Sequence, residues 1–105
     1  MSRPVARALG RDSVFSPDGT GYKCRFPMGT KTFQSSAPKV KIEGTPPVCA
    51  GDKVAPHPKS GCAPDTSGCS SYSKKVFANN KGVARIGDSY GSNKITSGSG
   101  KVFAG

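Results

Sequence analysis

The sequence predicts an all-β chain of short strands and many turns, and three observations predict it. Only 33% of the 105 residues are hydrophobic, whereas 14 are glycine and nine are proline, a balance that favours turns over packed helices. No stretch carries an apolar face at helical spacing, because a Gly, Pro or Asn interrupts nearly every candidate. A hairpin-like pattern, finally, recurs along the chain. The length suits a single domain, residues 1–105, and a core this lean calls for a staple from a disulfide, a metal or a partner chain.

The recurring pattern organises the elements. Lys39-Val40-Lys41-Ile42-Glu43-Gly44 leads to Val48-Cys49-Ala50-Gly51-Asp52, and Lys75-Val76-Phe77-Ala78-Asn79-Asn80 leads at identical spacing to Ala84-Arg85-Ile86-Gly87-Asp88. A third copy begins at Lys101-Val102-Phe103-Ala104-Gly105. Its other half is at the opposite end of the chain, where Pro4-Val5-Ala6-Arg7-Ala8-Leu9-Gly10 echoes Gly82-Val83-Ala84-Arg85-Ile86-Gly87 more loosely. Small polar residues precede every copy: Gln34 to Pro38, Ser70 to Lys74 and Thr96 to Gly100.

Each copy reads as a β-hairpin. Val76-Phe77-Ala78 favours strand, Asn79-Asn80-Lys81-Gly82 tolerates the positive φ of a tight turn, and Val83 to Ile86 returns as the partner strand. In the first copy Glu43-Gly44-Thr45-Pro46-Pro47 makes the turn. The closing Gly-Asp frees the backbone and lets Asp brace the following loop. The expected architecture is therefore pseudo-threefold, with three hairpin repeats joined by long loops and the third hairpin formed by the N- and C-terminal strands. Lone hairpins are marginal, so their apolar faces should converge on a common axis, with Val40, Ile42, Val48, Val76, Ala78, Ala84, Ile86, Val102 and Ala104 as candidates. The Ser13–Phe33 segment is read as a long loop whose aromatics, Phe15, Tyr22, Phe26 and Phe33, pack.

Charge and termini narrow the function classes. The net charge of +10 is spread along the chain rather than gathered in a basic block, so an electrostatic footprint for nucleic acid is present but undirected. Met1 to Asp12 lacks the apolar run of a signal peptide, and no apolar stretch is long enough to span a membrane. Those features fit folding in a reducing cytoplasm, where thiols favour metal over disulfide.

These repeats resemble the PAAR-repeat family, whose motif is Pro-Ala-Ala-Arg. Gly82-Val83-Ala84-Arg85-Ile86-Gly87-Asp88 is the best match and Pro4-Val5-Ala6-Arg7 the second, while Pro46-Pro47-Val48-Cys49-Ala50-Gly51-Asp52 departs by placing Cys at the Arg position. The resemblance implies a small cone that caps a trimeric β-helical spike in a phage baseplate or a type VI secretion machine, with a metal ion held by loops near the point. It implies a structural tip of the virion tail baseplate, assembled in the host cytoplasm, that meets the target membrane transiently and recognises no specific nucleic acid.

The ligands implied for that ion are Cys24, His57, Cys62 and Cys69. His57, Cys62 and Cys69 share one Gly- and Pro-rich loop, and the family's ion sits in that region on His and Cys donors. Zinc takes four such ligands in tetrahedral array, and iron is the other candidate. Cys24 is favoured as the fourth; Cys49 competes, although its repeat position lies within a strand. Disulfides Cys62–Cys69 and Cys24–Cys49 remain the alternative. One His, six carboxylates and no paired base and nucleophile leave little for an enzyme. The rival function is a small basic module that binds nucleic acid or anionic lipid.

Overall fold

Turn chemistry sets the hairpins. The computed structural model describes residues 2–16, 28–54, 67–91 and 93–105. Its strands are β1 (Arg3–Pro4), β2 (Ser13–Ser16), β3 (Met28–Lys31), β4 (Phe77–Ala78), β5 (Lys81–Gly82), β6 (Ser89–Tyr90), β7 (Asn93–Ile95) and β8 (Phe103–Ala104). Every pairing is antiparallel. Among the described residues there is no helix, and so none long and apolar enough to cross a membrane. The chain is all-β, arranged as several small sheets.

Asn79 and Asn80 both adopt positive φ, 53° and 66°, as a two-residue type I′ turn requires, and they join β4 to β5 with Ala78 opposite Lys81. Glu43 and Gly44 do the same at 54° and 83°, between the bridged residues Ile42 and Thr45. Both turns are shorter than the sequence suggested, so Thr45, Lys81 and Gly82 already belong to returning strands. A third ladder joins the two terminal segments, β1 to β8, pairing Arg3 with Ala104 and Pro4 with Phe103.

The returning strands then leave their own hairpins. Val83 to Ile86 was expected to continue pairing within its hairpin; instead Val83 bridges Cys49 and Arg85 bridges Val5, while Arg7 bridges Pro47. Three backbone hydrogen bonds close a cycle: Ala6 N–H donates to the Ala84 carbonyl (2.9 Å), Ala84 N–H to Val48 (2.8 Å), and Val48 N–H to Ala6 (3.0 Å). A second set runs alongside, from Ala8 to Pro46 (2.7 Å), Ala50 to Gly82 (2.9 Å) and Ile86 to Pro4 (2.9 Å). Ala6, Val48 and Ala84 are all 0% exposed. Buried amides must find partners, and with at most two residue pairs inside a hairpin those partners come from the other two copies.

The second sheet was not anticipated. It has the order β3-β2-β7-β6, so both ends of the segment read as a loop are strands. Its inner face buries Val14, Tyr90, Asn93 and Ile95, of which Val14, Tyr90 and Ile95 join Ala6, Ala8, Val48, Val54, Cys69 and Ala84 in one core cluster. Of the expected axial residues, Ile42, Val48, Ala78, Ala84 and Ala104 are buried, but Val40 and Val76 are each 39% exposed. Strand alternation accounts for the exposed Phe77 and Phe103 beside the buried Ala78 and Ala104, whereas Val40 and Val76 stand just ahead of the paired residues, outside any strand. Phe15 and Phe33 do not pack as expected and stand 46% and 47% exposed; Tyr22 and Phe26 lie outside the described residues.

Candidate functional site

The motif residues build three buried carboxylate braces. Asp12, Asp52 and Asp88 are 0%, 4% and 2% exposed. Each accepts the backbone N–H of the motif residue at the Arg or Cys position: Arg7 (2.6 Å), Cys49 (2.8 Å) and Arg85 (2.8 Å). Each also accepts a hydroxyl from the polar segment that precedes a copy, namely Ser97 (2.9 Å), Ser36 and Ser71 (3.1 Å). The aspartates thus brace backward, onto their own motif, rather than forward onto the next loop. Arg7 and Arg85 complete the site in two copies, clamping Asp12 through Nε and Nη2 (2.9 and 2.7 Å) and Asp88 through the same two nitrogens (2.8 and 3.1 Å). Burial pushes the Asp12 and Asp88 carboxyls up, but the arginine, backbone and serine bonds together outweigh it and hold both below the usual carboxylate range.

The copies also clasp one another at their turns. The Ser99 hydroxyl donates to the Glu43 carboxylate, the Ser73 hydroxyl to the Gly105 carbonyl, and the Asn79 side-chain amide to the Ser36 carbonyl (3.0 Å). Ser73 and Ser99 each also accept two backbone amides, from Lys75 and Val76 and from Lys101 and Val102. These serines shape the entry to two of the hairpins, while the first copy has Ala37 at the matched position, and only the recurrence of small polar residues before the copies hinted at the role.

Just after these serines, the copies expose matched residues. Lys39, Lys75 and Lys101 are all exposed. Beside them Val40 and Val76 are part-exposed and Val102 is half-buried, and Phe77 and Phe103 follow at 58% and 51% exposure. None of these lysines joins an ion pair among the described residues.

The expected metal ligands are only partly within view. Cys24, His57 and Cys62 lie outside the described residues. Cys69 is buried, and its thiol donates to the Ser71 carbonyl at 3.3 Å. Burial, and then the charges of Asp88 and Asp52, push that thiol up to about 12. Cys49, next to Val48 of the cycle, is buried in the cluster that holds Val5, Ala37 and Val83, with its sulfur 3.8 Å from the Pro47 carbonyl. Burial, then Asp52, raises it to about 11. Among the described residues no group of three or more His, Cys, Asp or Glu is placed to hold a metal. Neither a protein-family model nor a curated protein matches this chain.

Proposed function

We propose that this chain is a PAAR-type tip that caps and sharpens the trimeric, membrane-piercing spike of a contractile injection machine, in a phage tail baseplate. The observation that carries the reading is the closed cycle from Ala6 to Ala84 to Val48. That cycle, with the β4–β5 and β1–β8 ladders and the matched Ile42–Thr45 bridge, supports a pseudo-threefold cone of three hairpins, the third made by the terminal strands. A chain with three matched faces meets a homotrimer without leaving two of its subunits unmatched. The exposed Lys39, Lys75 and Lys101 with Val40, Val76 and Val102 offer the same cationic and apolar contact three times over. Hairpin edges beside them extend the spike strands by strand addition. A type VI secretion spike would suit the same geometry.

The reading assigns no catalytic role. Asp12, Asp52 and Asp88 are engaged in bonds that brace their own copies, and Glu43 in one that joins two copies.

Co-expressed with the trimeric spike protein of its machine, the chain should form a complex of one tip per trimer, read by multi-angle light scattering. Lys39→Glu, Lys75→Glu and Lys101→Glu combined should weaken it at least about tenfold, since each contact is charge-dependent. No complex, or three tips per trimer, would remove the proposal.

The same reading places one structural ion, zinc or iron, on Cys24, His57, Cys62 and Cys69. Such an ion supplies folding energy and holds its thiolate ligands deprotonated, which offsets the high proton affinity of Cys69. Elemental mass spectrometry of protein purified in reductant without chelator should find one zinc or iron per chain, lost on His57→Ala or Cys62→Ser. Metal-free protein with four titratable thiols would sink the assignment.

A further inference from the structure

The outer face of the β3-β2-β7-β6 sheet is cationic and apolar together, and no motif of the repeats explains it. Phe15 on β2 stands opposite Gly29 on one side and Lys94 on the other. Exposure alternates along residues 29 to 33, leaving Gly29, Lys31 and Phe33 open and Thr32 buried. The Thr32–Val54 bridge, with Gln34 N–H bonded to the Lys53 carbonyl (3.1 Å), sets Lys53 beside Phe33. The result is a stripe of two half-exposed phenylalanines, each with a lysine on the neighbouring strand and Lys31 between them. Among the described residues no carboxylate faces it: β2, β3, β6 and β7 contain no Asp or Glu, and Asp12 just ahead of β2 is buried against Arg7.

Leu9 extends the stripe. Its N–H donates to the Phe33 carbonyl (2.9 Å), so the two residues are neighbours. Leu9 is 64% exposed and has φ of 56°. Leucine is disfavoured on both counts: the left-handed region suits Gly or Asn, and water does not favour an exposed isobutyl group. Folding alone does not account for a leucine here.

We propose that this stripe seats the protein on an anionic phospholipid surface, with Leu9, Phe15 and Phe33 at the boundary between headgroups and acyl chains and Lys31, Lys53 and Lys94 on the lipid phosphates. Basic residues interspersed with protruding apolar side chains are the chemistry of interfacial binding. Leu9 favours lipid over single-stranded nucleic acid, because an aliphatic chain has no face on which a base can stack. The inference adds to the tip reading a surface for its target, yet it needs no spike, so the two fail separately.

Vesicles of phosphatidylcholine with about one-third phosphatidylglycerol should sediment the isolated protein at physiological salt, whereas pure phosphatidylcholine vesicles should not. Lys31→Glu with Lys94→Glu should lower the partition on the order of tenfold to a hundredfold, while the charge-matched pair Lys41→Glu with Lys74→Glu should leave it within about threefold once the overall charge change is shared. Leu9→Asn is the sharper variant, since Asn tolerates the backbone. It should lose about tenfold in partition with a thermal midpoint equal to or above that of the parent. Equal binding to neutral vesicles, or equal losses in both charge pairs, would overturn the proposal. So would binding of a single-stranded oligonucleotide with the same dependence on Leu9, Lys31 and Lys94.

Discussion

Asp12→Ala is expected to destabilise the protein by about 3 kcal/mol, the lower end for breaking a buried ion pair by removing one partner. The carboxylate is 0% exposed and takes bonds from the Arg7 amide, from two nitrogens of its guanidinium and from Ser97. Its removal strands Arg7, whose side chain is only 12% exposed and so retains a narrow path to water. Asp52→Ala should cost less, about 1–3 kcal/mol, because Cys49 stands where the other copies have arginine and only hydrogen bonds to neutral groups are lost. Urea unfolding of the two variants gives the comparison, and equal costs would mean that the arginine clamp contributes nothing.

The same clamp carries a pH dependence whose sign follows from the carboxyls. Asp12 and Asp88 titrate lower in the folded chain than in the unfolded one, so the unfolded state binds protons first as pH falls. Their stabilisation is therefore complete above the unfolded aspartate value of about 3.9 and is lost as pH falls through the lower folded values. Asp12→Ala, already lacking one of the two groups, should show a shallower loss below about pH 4 than the parent.

Gly82→Ala is the second large effect, expected to cost about 3 kcal/mol or more through overpacking. A Cβ there would overlap the Ser73 carbonyl oxygen and sit 2.6 Å from the Tyr72 ring, and the backbone oxygen cannot swing aside. The matched positions Pro4 and Pro46 carry a Cβ without difficulty, and the reason lies across the contact. Where the chain has Pro4 it has Gly98 opposite, and a Cβ on Gly98 would in turn meet Pro4 at 3.0 Å. The two copies have exchanged sizes: glycine with tyrosine in one, proline with glycine in the other. Tyr72→Gly should therefore rescue part of the Gly82→Ala defect, with a coupling of at least about 1 kcal/mol in a double-mutant cycle. Additivity within about 0.5 kcal/mol would show that the Ser73 carbonyl alone sets the cost.

The hairpin turns were legible because their chemistry is local. Asn79, Asn80 and Gly44 are residues that accept positive φ, and the structure uses them for it; Glu43, also at positive φ, is not one that turn chemistry selects. The closing aspartates were legible as a recurrence but not in their direction, since the serines that reach Asp52 and Asp88 come from 16 and 17 residues upstream. The sheet formed by β2, β3, β6 and β7 left almost no trace. Met28–Lys31 and Asn93–Ile95 hold Gly, Lys and Asn, and strands of four and three residues are too short for alternation to register. Of the metal ligands, three lie outside the described residues, and Cys69 by itself shows a buried thiol.

By itself the sequence determined the all-β class, the recurring hairpins and their turns, because composition, turn residues and repeat spacing act over a few neighbouring positions. Only the tertiary structure decided that the strands after each turn bond across copies through Ala6, Ala84 and Val48. It alone decided that Val40 and Val76 face outward, and that Phe15, Phe33 and Leu9 line up with lysines from separate strands. The physical reason is the same in each case. A backbone amide is satisfied by whichever carbonyl lies within about 3 Å, and a side chain is buried by whatever packs over it, and both are set by segments far away in the chain.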